Sequence, residues 1–538
     1  MNHLDYGDNL LVLRDRAAFP DECVDLIYLD PPFNSKRDYN LLFKSPRGHS
    51  SEAQIEAFED TWHWNTQAER EFDDLLHQPN TDVAEMMKAL RGFLGENDLM
   101  AYLTMMANRL LELHRVLKPT GSLYLHCDPT ASHYLKVVLD GVFGKLTFRN
   151  EIIWKRTTSH NDATRQFPDV TDTIFYYVKT DAAPFHRQFV DYSEHYLKTK
   201  YRHTDADGRV YRLSDMRSPS PRPNLTYTYK GHEPHPNGWA ISLEKMQALD
   251  AAGRLEFPKK QGGRIQLRNY LDEREGMPLT MLWDDISPIN AMAQERLGYP
   301  TQKPLALLER ILLTSSEEGD VVLDPFCGCG TAVHAAQKLK RQWIGIDITC
   351  LAIGLIEKRL KDAFGARCKF EVHGTPQDLE SARDLAARDK YQFQWWAVTL
   401  VEAQPFQGKK KGADTGIDGL KFFRDLDQKE VRKIVVSVKG GGIKPDDVRA
   451  LNSVRDREKA EIALFLSLEA PTAAMTKDAA AAGFYESPNG KKFPRVQLLT
   501  IEALLARTAR AEHPDYEPDL NFKKARSEAS GEQQGLAL

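Results

Sequence analysis

Val24-Asp-Leu-Ile-Tyr-Leu29 and Ser122-Leu-Tyr-Leu-His126 are short apolar runs of buried-strand length. From about Leu99 to Leu117 the rhythm changes: apolar residues recur every three or four positions, and Lys118-Pro-Thr-Gly121 closes the run as a helix end. Alternating strand and helix over residues 1–155 predicts an α/β sheet. The alternation returns at 298–375, with Val321-Val-Leu323 as a strand, Thr331 to Leu339 as a helix, and Trp343-Ile-Gly-Ile-Asp347 as a second strand. Residues 156–297 between them are rougher, rich in Pro, Tyr and Arg, with short strands. A charged helix, Gln377 to Arg388, leads to a last unit at 390–512. There Phe393 to Glu402 reads as a buried helix, followed by a hairpin of about Leu420–Phe423 and Ile434–Val438. The polar tail 513–538 is expected to be flexible.

Composition narrows the class. With 538 residues, 41% hydrophobic and 28% charged, the chain has material for several globular cores and too much for a disordered one. The longest apolar stretches, such as Ile462 to Leu466, run to about five residues, against about 20 for a bilayer span, so no membrane segment is expected. The first residues lack the basic and apolar regions of a signal peptide. Six cysteines in so long a chain make no disulfide framework, and a reducing cytoplasm is the expected location. The net charge of −5 gives no global field for nucleic acid, but residues 209–270 carry eleven Lys/Arg against five Asp/Glu. Arg212, Arg217, Arg222, Lys259, Lys260, Arg264 and Arg268 are the candidate contacts to phosphates or guanine edges there.

Two motifs carry chemistry. The first apolar strand ends in Asp30-Pro31-Pro32-Phe33-Asn34, and ligands of open parallel sheets sit off the carboxyl ends of strands. The prolines fix φ and lack N–H groups, so their carbonyls can face outward as rigid acceptors. A carboxylate, a rigid carbonyl and an aromatic plate suit an exocyclic amine on a planar ring. The second motif is Asp324-Pro-Phe-Cys-Gly328-Cys-Gly330-Thr331, a strand–loop–helix whose next strand ends in Asp347, where a ribose hydroxyl pair would be bound. Its Phe-x-Gly-x-Gly spacing differs from the dinucleotide pattern and suits a nucleoside without pyrophosphate. Cys327 and Cys329 are read as small loop residues. His126-Cys127-Asp128 is read as a sheet terminus near the site rather than a metal set, and Tyr176 and Tyr177 as a base-pocket wall or as core.

Together the motifs resemble the amino-group DNA methyltransferases in the permuted β-class order: Asp-Pro-Pro-Phe first, basic region second, Phe-x-Gly-x-Gly last. Tyr6-Gly7-Asp8-Asn9, Asn150-Glu-Ile-Ile-Trp-Lys155 and Thr301-Gln302-Lys303-Pro304 fit the same pattern. The resemblance implies a Rossmann-like sheet that uses S-adenosyl-L-methionine, divided as a catalytic half (1–155), a target-recognition region (156–297) and a cofactor half (298–375). It places Asp324, Phe326, Gly328, Gly330 and Thr331 at the methionine end of the cofactor, Asp347 at the ribose and Asp8 near the adenine. Lys303 and Pro304 fall beside the methionine moiety, and Asp30, Pro31, Pro32 and Phe33 at the catalytic centre. Double-stranded DNA is the implied substrate, with adenine N6 favoured over cytosine N4, and with a homodimer or a restriction subunit as partner.

The last unit resembles the Mrr-like PD-(D/E)xK nucleases, with Asp418 opening one hairpin strand and Ser437-Val-Lys439 closing the other. The resemblance implies a second, nuclease-like α/β domain, with Mg²⁺ at Asp418 and Glu402 as a further ligand from the preceding helix. Ser437 stands where the family has an acid or amide that helps hold the metal. The resemblance is compatible with DNA binding without cleavage and with a bifunctional restriction enzyme. Lys409–Lys411 are read as a solvated loop or a phosphate contact.

Overall fold

The computed structural model describes residues 2–32, 39–44, 50–58, 62–157, 167–260, 262–290, 293, 295–297, 299, 301–406, 416–426, 430–516, 521 and 524–528. They fall into two compact units, 1–186 with 281–531, and Arg187–Thr280.

The first unit is built on a nine-stranded sheet. In chain order its strands are β1 (His3–Tyr6), β2 (Val24–Leu29), β3 (Leu117–Cys127), β4 (Phe148–Lys155), β5 (Thr171–Val178), β6 (Leu282–Trp283), β7 (Val321–Asp324), β8 (Gln342–Asp347) and β9 (Glu371–His373). In space they run β6-β4-β5-β3-β2-β7-β8-β1-β9. The neighbours from β3 to β9 pair in parallel, while β5 is antiparallel to both β3 and β4. The centre of the sheet has β2 beside β7, so the strands that end in Asp30 and Asp324 are neighbours although the chain separates them widely. Leu26, Ile27, Leu29, Leu123, Leu125 and Leu323 are fully buried, as expected of strands covered on both faces.

Helix α1 (Asn9–Arg14) starts at Asp8, whose carboxylate caps it. Helix α2 (Asp98–Val116), capped by Asn97, buries its apolar side in the main core and runs straight into β3. Helix α3 (Leu305–Ser315) follows Pro304, α4 (Thr331–Lys338) follows the glycine loop, and α5 (Cys350–Phe364) follows β8.

The C-terminal sheet has five strands: β10 (Gln404–Pro405), β11 (Gly419–Arg424), β12 (Val431–Lys439), β13 (Ile462–Ser467) and β14 (Val496–Thr500). β11 and β12 form the antiparallel hairpin expected from the sequence. Helix α6 (Lys390–Thr399) lies on one face of the sheet and α7 (Pro445–Arg457) on the other. Gln392 of α6 accepts the Cys350 amide, and Trp395 packs beside Tyr299, Cys329 and Leu351.

Three boundaries differ from the sequence reading. The separate middle unit is Arg187–Thr280, narrower than 156–297, because Thr171–Val178 is a strand of the main sheet. Helix α6 ends at Thr399, so Glu402 lies in the loop beyond it, with φ 53°. In the tail, expected to be flexible, several described residues make contacts. Asn521 is buried against the backbone of Phe422, and Glu528 reaches Ala363 and His334.

The middle unit holds a four-stranded antiparallel sheet, Leu255–Glu256, Gln266–Tyr270, Val210–Asp215 and His203–Thr204, over a small core of Met216, Tyr229, Trp239, Met246, Leu255 and Ile265. Among the described residues no helix is long and apolar enough to cross a membrane.

Candidate active site and cofactor pocket

The carboxyl ends of β1, β2, β7 and β8 open on one cavity of about 490 Å³, within the range of ligand sites at such sheet ends. At β7 the chain turns through Pro325 to Gly330. Gly328 and Gly330 have φ of 49° and 70°, which L side chains rarely adopt. A Cβ on Gly330 would also lie 2.8 Å from the Ile356 side chain. Gly328 N–H donates to Asp347 Oδ2 (2.9 Å), and Asp347 Oδ1 accepts the Thr349 amide and hydroxyl. Burial nevertheless pushes the Asp347 carboxyl up against those hydrogen bonds. Asp324 is raised further, first by burial and then by the charges of Asp30 and Asp347.

A buried Arg359 on α5 braces the loop, donating to Cys329 O (2.8 Å) and Thr331 Oγ1 (3.1 Å). Across the cavity Asn9 Nδ2 donates to Pro325 O (2.7 Å), and Arg109 of α2 binds both Asn9 Oδ1 and Asp8 Oδ2. Asp8, Lys303, Asp324, Phe326, Gly328, Thr331 and Asp347, all expected at the cofactor, line this cavity. Gly330 and Pro304 stand behind the lining, as the caps of α4 and α3. Several acids around one hollow suit a ligand with hydroxyl and amino groups and a positive centre, which is the chemistry of S-adenosylmethionine.

Asp30, Pro31 and Pro32 line the same cavity. Phe33 lies outside the described residues. Lys303, expected beside the methionine moiety, donates to both oxygens of Asp30 at 2.7 and 2.6 Å. Tyr176 stacks on Tyr124 at 4.5 Å, and Tyr177 donates to Asp140; both pack in the sheet and neither lines the cavity.

The sequence reading missed Arg109, Tyr299 and Arg359. Arg109 left a signal, a cation one helical turn from Met105 on an otherwise apolar face. Arg359 left none, because its partners come from another element.

At the C-terminal sheet Asp418 Oδ2 accepts the Val438 amide at 2.7 Å and lies 3.4 Å from Ser437 Oγ. Lys439 sits at the same strand end, 3.7 Å from Asp447 of α7. Glu402 does not join them. It is exposed and lies 3.5 Å from Lys421, and Lys421 points away from the face of Leu420 and Phe422. Among the described residues there is no group of three or more His, Cys, Asp or Glu that could hold a metal ion. Lys409–Lys411 lie outside the described residues.

The fold is an α/β sheet whose parallel strand ends open on one acid-lined cavity beside the Asp-Pro-Pro strand end. The chain belongs to the N6/N4 DNA methylase family, whose profile matches residues 24–358. A restriction endonuclease profile matches 385–507. Over 360 residues the chain is 29% identical to the Type II methyltransferase M.EcaI of Enterobacter cloacae, covering 66% of this chain and 69% of that one. It is 28% identical to the Type III restriction-modification enzyme StyLTI Mod subunit of Salmonella typhimurium, covering 62% of this chain and 50% of that one. It is 24% identical to the DNA adenine methyltransferase YhdJ of Escherichia coli, covering 66% and 81%. The chain thus spans about half to four-fifths of the length of these relatives.

Proposed function

We propose that the protein methylates the N6 amine of an adenine flipped out of double-stranded DNA, within a restriction–modification or defence system in the cytoplasm. The supporting observation is the single cavity that holds both Asp30-Pro31-Pro32 and the glycine loop. S-adenosylmethionine would be held by Asp8, Asp324, Phe326, Gly328, Thr331 and Asp347, and supplies an electrophilic methyl group. Asp30 and the Pro31 carbonyl accept the two N–H bonds of the amine and aim its lone pair. Phe33 stacks on the base and recovers part of the flipping cost of a few kcal/mol. Lys303 holds both Asp30 oxygens, and each oxygen keeps a lone pair that can accept an amine N–H. Asp30 then stabilises the amine as it becomes cationic.

In the middle unit Arg217, Arg222, Lys259, Lys260 and Arg264 are exposed and are the proposed DNA contacts. Arg268 is tied to Glu256 and Arg212 to the Tyr196 hydroxyl, so they serve the fold of that unit first. For the 385–507 unit Asp418 and Lys439 at one strand end favour a DNA-contacting role, with a restriction subunit or a second copy as the partner for cleavage.

Labelled S-adenosylmethionine and unmethylated genomic DNA test the main reading, with nucleosides separated by mass spectrometry. N6-methyladenine is expected from the parent, with a loss of about 100-fold or more in Asp30→Ala while S-adenosylmethionine still binds. N4-methylcytosine would move the assignment to cytosine.

A further inference from the structure

Below the cavity floor lies a hydrogen-bonded chain that the methyl-transfer scheme above does not use. Tyr28 lines the cavity and sits two residues before Asp30 at the end of β2, on the same side of an extended chain. Its hydroxyl is 3.0 Å from His126 Nδ1, and His126 Nε2 is 3.1 Å from Asp172 Oδ2. Asp172 Oδ1 lies 3.2 Å from Nε of the half-exposed Arg156. His126 is fully buried, Tyr28 and Asp172 are each 2% exposed, and Trp154 closes on the imidazole edge. Both imidazole nitrogens thus have hydrogen-bond partners.

The arrangement has a direction. With the Asp172 carboxylate as acceptor, a neutral His126 carries its proton on Nε2, and Nδ1 then accepts from the Tyr28 hydroxyl. The remaining titratable or charged groups around the chain are Asp30, Asp324, Lys303, Asp128, Cys127 and Arg156. Burial pushes Asp172 up, but the His126 hydrogen bond and the nearby cations Lys303 and Arg156 outweigh it, and its carboxyl is held low as an acceptor.

We propose that Tyr28, His126 and Asp172 form the exit for the proton that the methylated amine must shed. The inference rests on the amino-methyltransferase reading. The amine lone pair forms the N–CH₃ bond as the S–CH₃ bond breaks, its electron pair staying on sulfur in S-adenosylhomocysteine. The nitrogen then carries a positive charge and one proton too many. As that proton reaches the Tyr28 oxygen, the phenolic proton moves to His126 Nδ1 and the Nε2 proton to Asp172, from which it leaves beside Arg156. A buried Tyr–His–Asp series needs no solvent in the cavity, so the site can stay closed around the flipped base.

Single-turnover methyl transfer by the full chain to unmethylated genomic DNA tests this, with S-adenosylmethionine binding measured separately by calorimetry. Tyr28→Phe keeps the ring and is expected to slow the transfer by about 10-fold or more, with KM for DNA and cofactor affinity unchanged. His126→Gln is the discriminating variant. Its amide can accept from Tyr28 and donate to Asp172, but it cannot pass a proton. Loss in His126→Gln equal to that in Tyr28→Phe supports the exit. Parent-like kcat in His126→Gln, or in Tyr28→Phe, overturns it, as does a loss that follows weakened cofactor binding. N4-methylcytosine as product would overturn the adenine reading and leave the exit standing, because either amine sheds one proton. No product from the parent overturns both.

Discussion

Asp30 and Asp418 are both acids at strand ends, each with a lysine at hand, yet their surroundings differ. Asp30 has both oxygens on a side chain 273 residues away, and its cavity gathers the ends of four parallel strands. Asp418 gives one oxygen to the amide of Val438 on the adjoining strand, and Lys439 leans toward Asp447. In the first site the carboxylate is held by a lysine from a distant part of the chain. In the second it is partly spent on closing its own hairpin. Four parallel strand ends converge on the cavity of Asp30, whereas the side chains of Asp418 and Lys439 meet their own hairpin and α7.

The largest expected effect comes from breaking the first pair. Lys303→Met leaves Asp30 as a largely buried charge without its cation and should destabilise the protein by about 3 kcal/mol or more. Adding Asp30→Ala should recover much of that, so urea unfolding of the four proteins of the cycle must be non-additive. Additive costs would mean that the pair is not coupled.

A second contrast concerns the tail. His334, on α4 behind the glycine loop, lies 3.4 Å from Glu528, and burial pushes its pKa down to about 4. The unfolded chain therefore takes up this proton before the folded one does. Stability is complete above the ordinary histidine value of about 6.5 and is lost as pH falls toward 4, by up to about 3 kcal/mol. His334→Gln should flatten that slope in thermal unfolding across pH 7 to 4; an unchanged slope would place its origin elsewhere.

The smallest expected effect sharpens the comparison from the other side. Lys439→Ala should leave methyl transfer at the parent rate and remove any Mg²⁺-dependent nicking of plasmid DNA. Nicking that survives the substitution would detach cleavage from the Asp418 strand end.

Much of the site was legible locally. Val24–Leu29 is a strand over the same residues that its apolar run predicted, and Asp324, Gly328, Gly330 and Asp347 stand on the strand–loop–helix–strand unit that their spacing implied. Where local reading failed, a long-range contact decided. Glu402 was placed on a helix by hydrophobic pattern, but the helix ends at Thr399 and the loop turns the side chain toward Lys421. Thr171–Val178 was grouped with the irregular middle region, but it pairs with β3 and β4. The tail looked loose by composition, and a buried Asn521 binds it to the edge of the C-terminal sheet.

The sequence by itself determined the elements, the two motifs and their order, because periodicity, proline and glycine act within a few residues of themselves. Only the tertiary structure decided that Lys303 would hold Asp30, that Arg109 would tie Asp8 to Asn9, and that Tyr28, His126 and Asp172 would line up beneath the cavity. Those contacts join residues from separate strands and helices. Their geometry follows from strand order and packing, for which a linear pattern carries no local mark.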